Sequence, residues 1–348
     1  MRALRLPRWK TEPELVEVDE PTPGPGQVVV RIGAAGACHS DLHLMHDFEA
    51  GAVPWNPPFT LGHENAGWVH SLGDGVTGLE VGQAVAVYGP WGCGSCARCR
   101  VGADNYCEDL AAAPVPGGGG GLGMDGGMAG YELVPAARHV VPLPEGLDPV
   151  QAAPLTDAGL TPYHAIRRSW PKLPPSSTAV VIGVGGLGHV GVQILKATTA
   201  ARVIAVDNRD EALLLAEECG ADLTLRSDGS TAEEIRKATG GKGADVVLDF
   251  VGVDATLKIG VAAARTVGDL TIVGIGGGSL SVGFFSVPYE VSVQTTYWGS
   301  RPELIEVLDL GARGLVRPKT TTFGLDDAVR AYRMMQDGTL EGRAVVVP

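Results

Sequence analysis

A short β-branched run, a turn built from glycines and a helical stretch, in that order, constrain this chain more than any other feature. Residues 179–182 read Ala-Val-Val-Ile, Gly183-Val-Gly185-Gly186-Leu187-Gly188 follows, and residues 187–198 read as a helix. In such a turn the first glycine permits the tight bend, the second lets a pyrophosphate reach the backbone, and the third lets the helix pack closely on the strand. The free N–H groups at the helix start then offer themselves to phosphate. A glycine triplet alone is weak evidence in a chain with 50 glycines. Here Asp207 closes the next β run, where a carboxylate accepts both hydroxyls of a ribose. That carboxylate repels a 2′-phosphate, so NAD is favoured over NADP. Arg209, two residues on, is placed either to receive such a phosphate or to lie in solvent.

The rhythm around this turn extends the reading. From about residue 155 onward, β runs at 202–206, 245–250 and 269–273 alternate with helical stretches at 210–219, 231–239 and 255–264. Thr231 and Glu234 stand at capping-box spacing. Such alternation predicts βαβ units and a parallel sheet. The first third differs. Residues 27–32, 66–72, 83–88 and 131–134 are short Val-, Ile- and Tyr-rich runs bounded by Gly, Pro and Asp, which predict a small barrel-like β domain. The glycines at 117–121 read as a flexible loop. Helical stretches at 303–312 and 326–337 and a strand at 343–347 complete the chain.

Composition narrows the function classes. At 348 residues the chain exceeds the size at which one core keeps growing, so two domains are expected. A formal net charge of −13 argues against a nucleic-acid surface, which needs clustered Lys and Arg. Residues 178–195 lack Asp, Glu, Lys and Arg, yet their glycines, with His189 and Gln193, fit a buried strand and helix better than a membrane span. The first ten residues have no apolar signal core, and the expected location is cytoplasmic.

Four cysteines, Cys93, Cys96, Cys99 and Cys107, follow the spacing C-x2-C-x2-C-x7-C within one loop. Four thiolates converging on one ion suit tetrahedral Zn2+, and a closed sulfur shell leaves no position for substrate, which marks a structural site. Chemistry needs a second site with an open position. Cys38, His63 and Asp157 would make a mixed sulfur, nitrogen and oxygen shell of that kind. Taken singly they have ordinary readings: a small buried hydrophobe, a core or surface histidine, and a helix N-cap. Asp41 and Glu64 stand where they could hold the His63 ring.

In combination these segments carry a resemblance that runs nearly end to end. Gly62-His63-Glu64, the four-cysteine loop, the glycine turn and the Cys38 segment occur in the order found in zinc-dependent alcohol dehydrogenases of the medium-chain dehydrogenase/reductase superfamily. Residues 156–164, Thr-Asp-Ala-Gly-Leu-Thr-Pro-Tyr-His, and Tyr297-Trp298-Gly299 are most similar to bacterial secondary-alcohol enzymes. The resemblance implies a GroES-like catalytic domain from 1–158 with 300–348, and a Rossmann doubly wound NAD-binding domain at 159–299. It implies two zinc ions, one structural on the four cysteines and one catalytic on Cys38, His63 and Asp157, with Glu64 as an alternate ligand. Asp157 departs from the commonest pattern, which has a second cysteine there, and His39 stands where many relatives carry a pyrophosphate-binding Arg.

The same resemblance implies that Ser40 takes the hydroxyl proton of an alcohol and His43 exchanges it with solvent, an imidazole being suited to this near neutrality. Thr161 and Leu187 are family positions against the nicotinamide, although each reads equally as helix surface or core. Trp55, Tyr297 and Trp298 are candidates for an apolar substrate cleft. A primary or, preferably, secondary alcohol with its aldehyde or ketone is the expected small-molecule partner, in a homo-oligomer, dimer or tetramer. A polyol or amino-alcohol dehydrogenase is the alternative within the superfamily, and a zinc-stabilised binding module the alternative outside it.

Overall fold

The computed structural model describes all 348 residues. They divide into one unit of Met1–Leu160, Trp298–Gly314 and Pro318–Pro348, and a second of Thr161–Tyr297 with Leu315–Arg317.

The first unit is built on a seven-stranded sheet. Its axis is the nine-residue strand Val28–Gly36, which sends Val28, Val30 and Ile32 into the core on the two-residue period of a strand, while Val29 is buried on the opposite face. Glu64–Leu72 pairs along one side of it, antiparallel. The other side is shared: Tyr131–Val134 takes the first half and the last strand of the chain, Arg343–Val347, takes the end. Ala84–Val87 and Val140–Pro142 extend the sheet beyond Glu64–Leu72, and Thr320–Gly324 extends it beyond Arg343–Val347. The core gathers Leu4, Leu6, Phe59, Val69, Val85 and Tyr332 around this sheet.

The residues at 117–121 are not a flexible loop. Gly118, Gly119, Gly120 and Gly121 are buried. A Cβ added at Gly119 would lie 2.0 Å from the Gly89 carbonyl oxygen, and one at Gly120 would lie 2.1 Å from Glu132 Oε1. From Gly118 to Gly121 close neighbours, backbone at Gly119 and a side chain at Gly120, leave no room for a Cβ, and only Gly117 of the run is exposed.

The second unit carries a six-stranded, all-parallel sheet in the order Leu223–Arg226, Arg202–Asp207, Thr178–Ile182, Ala244–Asp249, Ala264–Ile272 and Ser292–Thr295. Helices Gly188–Thr198, Asp210–Glu218, Thr231–Ala238 and Asp254–Ala263 make the crossovers. Thr178–Ile182 is buried throughout, as a strand covered on both faces must be. Strands extend from it in both directions, so its carboxyl end lies at the switch point where such sheets bind ligands. The capping box expected at Thr231 is absent. Ser230 occupies the N-cap, and Thr231 Oγ1 instead accepts the Asp228 N–H at 2.7 Å, so the helix start is held by the preceding turn.

One charged pair ties the first unit's sheet together. Arg343 opens the last strand and Glu64 opens Glu64–Leu72; both are buried and flank the end of Val28–Gly36. Arg343 donates to both Glu64 carboxylate oxygens, from Nε at 2.9 Å and from Nη2. Breaking a buried pair leaves an uncompensated charge. Arg343→Leu is expected to cost about 3–5 kcal/mol of stability in urea unfolding. A loss within about 1 kcal/mol, the scale of an exposed pair, would show that water already reaches Glu64.

Candidate metal centre and dinucleotide site

The helix His39–His46 begins the metal centre. Cys38 is its N-cap residue, with its backbone N–H donating 3.0 Å to Asp41 Oδ2, so the helix start fixes where the Cys38 thiol points. His63 precedes the Glu64–Leu72 strand. Asp157 follows the 3-10 turn Ala153–Thr156 with φ −134° and ψ −60°, and is not a helix N-cap. Ligand atoms of Cys38, His63, Glu64 and Asp157 all lie within 4.8 Å of one another. Cys38 Sγ is 3.7 Å and His63 Nε2 is 3.6 Å from Asp157 Oδ2, and Ser40 Oγ stands 3.2 Å from His63 Nε2.

The neighbours of these residues restrain them. Asp41 Oδ1 faces His63 Nδ1 at 3.2 Å, which leaves Nε2 towards Cys38 and Asp157. Of the two residues placed by sequence to hold the ring, Asp41 is the one that faces it, at ion-pair distance. Glu64 does not, because Arg343 engages both its oxygens and the Ala158 N–H donates to Oε1 at 3.2 Å. Arg343 Nη2 also comes within 3.9 Å of Asp157 Oδ2. The Trp298 indole N–H donates to the Thr156 carbonyl at 3.0 Å, and its ring meets His63 edge-on at 5.7 Å between centroids. Asp157 is thus held through the residues on either side of it.

The electrostatics call for a cation. Burial pulls the His63 imidazole down, but Asp41, Asp157 and Cys38 together push it well above its ordinary value. Burial lifts the Glu64 carboxyl to about 7, only partly opposed by Arg343. The same carboxylates, with Cys38, hold the Arg343 guanidinium firmly charged against its own burial. We read the Glu64–Arg343 contact as an ion pair, since a guanidinium fork on both carboxyl oxygens is the geometry of the ionised partner. A soft sulfur, an imidazole nitrogen and a carboxylate oxygen form a donor set that suits Zn2+.

The four cysteines form a second cluster. Their sulfurs also lie within 4.8 Å of one another. The backbone N–H groups of Cys93, Cys96 and Cys99 donate to Cys107, Cys93 and Cys96 sulfurs at 3.3, 3.4 and 3.4 Å. The Cys96 N–H, with Ser95, draws the Cys93 thiol down to about 6, whereas burial pushes Cys99 up. Four crowded sulfurs titrating in opposite directions are reconciled by a dication that deprotonates them all. Four sulfurs fill a tetrahedral shell, in keeping with a structural ion.

In the second unit, Gly183 adopts φ +86° at the end of its strand, and a Cβ at Gly188 would fall 1.9 Å from the Gly183 carbonyl oxygen. Around Gly185 no atom lies within 4 Å of an added Cβ, so the backbone there is open to a phosphate group. Gly186 and Leu187 complete the turn, with Leu187 at the N-cap of Gly188–Thr198. Asp207 accepts the Val184 N–H at 2.7 Å and the Arg209 N–H at 3.0 Å, while Arg209 Nε folds back to 3.5 Å. The turn and the carboxylate fit the diphosphate and adenine ribose of a dinucleotide. Thr161 is buried in the first turn of Leu160–Arg168.

The other candidates are placed as follows. His39 is exposed at the helix start, and His43 lies one turn beyond Ser40 on the same helix face, its Nδ1 2.5 Å from Asp47 Oδ2. Trp55 packs against Trp9 and Phe59, at 5.8 and 5.5 Å between ring centroids. Trp298 is buried in the first unit, and Tyr297, half-exposed, belongs to the second. Sequence reasoning missed Arg343. The one available signal was an Arg opening the otherwise apolar run Arg-Ala-Val-Val-Val.

Comparison with known proteins agrees with both halves. Residues 24–145 match the alcohol dehydrogenase GroES-like domain, and residues 186–313 match the zinc-binding dehydrogenase family. A NAD-dependent alcohol dehydrogenase of Sulfurisphaera tokodaii is 36% identical, with 100% of each chain covered. Among solved structures, an alcohol dehydrogenase from Aeropyrum pernix is similar with a TM-score of 0.91 and 36% identity over 100% of both chains. A D-arabinose dehydrogenase from Sulfolobus solfataricus follows with a TM-score of 0.85 and 30% identity, covering 100% of this chain and 99% of that one.

The restraints on Asp157 generate a direct test. Asp157→Ala is expected to lose one of two bound zinc ions by elemental analysis, to abolish turnover and to leave far-UV circular dichroism unchanged. Full activity in a zinc-replete assay would remove Asp157 from the metal.

Proposed function

The chain belongs to the zinc-containing alcohol dehydrogenase family of the medium-chain dehydrogenase/reductase superfamily, and from that premise we propose its finer assignment: reversible oxidation of secondary alcohols to ketones with NAD. The observation that carries this reading is the convergence of Cys38, His63 and Asp157, beside a hydroxyl, Ser40, at hydrogen-bond distance from His63. Cys38, His63 and Asp157 hold the catalytic zinc in this reading, and Glu64 is the alternate ligand its proximity allows. Bound zinc supplies a Lewis acid that acidifies the alcohol hydroxyl or polarises the carbonyl. The second zinc sits on Cys93, Cys96, Cys99 and Cys107 and stabilises that loop.

The protein's own part is positioning and proton movement. Ser40 Oγ receives the hydroxyl proton, and His43, on the same helix face, passes it to solvent. His43 is fitted for this because its Nδ1 is anchored on Asp47 while its side chain keeps about a quarter of its surface open, 24%. Gly183, Gly185, Gly186 and Gly188 receive the pyrophosphate of NAD, with Asp207 on the adenine ribose. The Asp207 carboxylate repels a 2′-phosphate and draws Arg209 Nε to 3.5 Å, which supports NAD over NADP. His39, Thr161 and Leu187 are assigned to the cofactor, and Trp55, Tyr297 and Trp298 to an apolar substrate surface.

One observation favours the polyol alternative, namely the likeness to a D-arabinose dehydrogenase. The aromatic side chains assigned to the substrate argue the other way, since they offer few partners for extra hydroxyls. No helix is long and apolar enough to cross a membrane. Four cysteines converging on one point as metal donors, and not paired as disulfides, support a reducing compartment such as the cytoplasm. Exposed Phe284 and Phe285, near the edge strand Ser292–Thr295, support a homo-oligomer.

Initial rates with NAD and NADP over primary, secondary and polyol substrates test the assignment. Secondary alcohols with NAD are expected to show the highest kcat/KM, and a polyol maximum would transfer the chain to the alternative. For the proton path, His43→Ala is expected to slow alcohol oxidation more at low pH than at high pH, where hydroxide replaces the lost base. An equal loss at every pH would take His43 out of the path.

A further inference from the structure

Tyr332 lies in the C-terminal helix Ala328–Gln336, far in sequence from every residue assigned above. It is 3% exposed and its ring belongs to the core of the first unit. Its hydroxyl reaches Asp41 Oδ2 at 2.8 Å. The sulfur of Met128 is 3.1 Å away, but a hydroxyl has one proton, and a carboxylate is much the stronger acceptor. Burial and the Asp41 charge both push the phenol well above its ordinary value, so the group stays a donor.

Asp41 is 0% exposed, and its two oxygens are divided between two tasks. Oδ2 accepts the Cys38 N–H at 3.0 Å and the Tyr332 O–H at 2.8 Å. Oδ1 is thereby left to His63 Nδ1 at 3.2 Å. One carboxylate therefore serves two proposed zinc ligands: it accepts the Cys38 backbone N–H and stands at ion-pair distance from the His63 ring, whose Nδ1 has no hydrogen-bond partner of its own. A carboxylate with a single donor on Oδ2 can rotate about its Cβ–Cγ bond; a second donor from a different element stops that rotation. Outer partners of this kind set the orientation and basicity of a metal-bound imidazole.

We propose that Tyr332 is a positioning residue for the catalytic zinc, acting through Asp41 to lock the His63 ring with Nε2 towards the metal. The inference rests on the reading of Cys38, His63 and Asp157 as the zinc site. Phe at this position keeps the packing of the ring and removes only the donor, so Tyr332→Phe separates positioning from core filling.

The test follows zinc release from the holoenzyme into a chromogenic chelator, with zinc content measured beforehand. Wild type is expected to hold two ions per chain that leave at different rates. In Tyr332→Phe one ion is expected to leave about tenfold faster or more, the scale of an outer-partner loss, while the other keeps its rate and the melting temperature holds. Cobalt substituted at the faster site is expected to show shifted d–d bands. Because Tyr332 acts through Asp41, adding Tyr332→Phe to Asp41→Asn is expected to change the release rate little further. Unchanged release and spectrum in Tyr332→Phe overturn the proposal. So do equal acceleration at both sites with a fall in melting temperature, which marks a purely structural role, or fully additive effects in the double variant. A wild type that binds only one ion overturns the zinc reading itself, and the inference with it.

Discussion

The metal centre depends first on a guanidinium that has no access to water. Arg343 is buried at the start of the last strand, and an isolated charge there would be prohibitively costly. Glu64 answers it with both oxygens, and that requirement fixes how the last strand sits relative to Glu64–Leu72 across the end of Val28–Gly36. The strand between them must make room. Gly36 stands opposite both Glu64 and Val345, and a Cβ there would lie 1.9 Å from Glu64 Oε2. The Ala158 N–H then fastens the Asp157 segment to the same carboxylate. Sheet register, C-terminal strand and proposed ligand loop are consequences of one pair.

That pair does not balance the site. Asp41, Glu64 and Asp157 crowd around His63, with Arg343 as the single fixed positive group among them. The imbalance shows in His63, which its acidic neighbours drive up against its burial, whereas the rise of Glu64 to about 7 is chiefly the cost of burying it. The potential at His63 is negative and seeks positive charge, which a dication supplies more fully than a proton. The four-cysteine loop reaches the same end differently. Its sulfurs are held by neighbouring backbone N–H groups within one short loop, so it needs no distant partner.

This contrast explains what could be read from the sequence. The cysteine loop and the glycine turn are local: their spacing alone sets their geometry, and Cys93 to Cys107 and Gly183 to Gly188 were legible as chemistry. The parallel sheet followed from alternation, and only its short edge strand Leu223–Arg226 and the Ser292–Thr295 strand escaped, lacking long apolar runs. Cys38, His63 and Asp157 were legible only through resemblance, because their convergence is made by tertiary packing. Arg343 was legible only as a charge opening an apolar run, and Tyr332 not at all. Each acts across a distance in sequence of 279 and 291 residues, respectively, and neither has a motif. The buried glycines at 118–121 misled for a related reason: composition reports that a backbone can bend, and not what it packs against.

The oxygen at Asp157 makes sense in this setting. A thiolate presents its lone pairs nearly symmetrically about one atom, so a cysteine ligand needs little help beyond the placement of its Cα. A carboxylate has two oxygens and a rotatable bond, and it binds one ion well only when something selects the oxygen and the angle. Here Arg343 Nη2 stands 3.9 Å from Oδ2, the same oxygen that faces Cys38 and His63. Trp298 fixes the carbonyl of Thr156 before it, and Glu64 fixes the N–H of Ala158 after it. The two backbone restraints would place a cysteine equally well; the Arg343 contact is the one that acts on a carboxylate oxygen, so the ion pair that orders the sheet also stands against the proposed ligand.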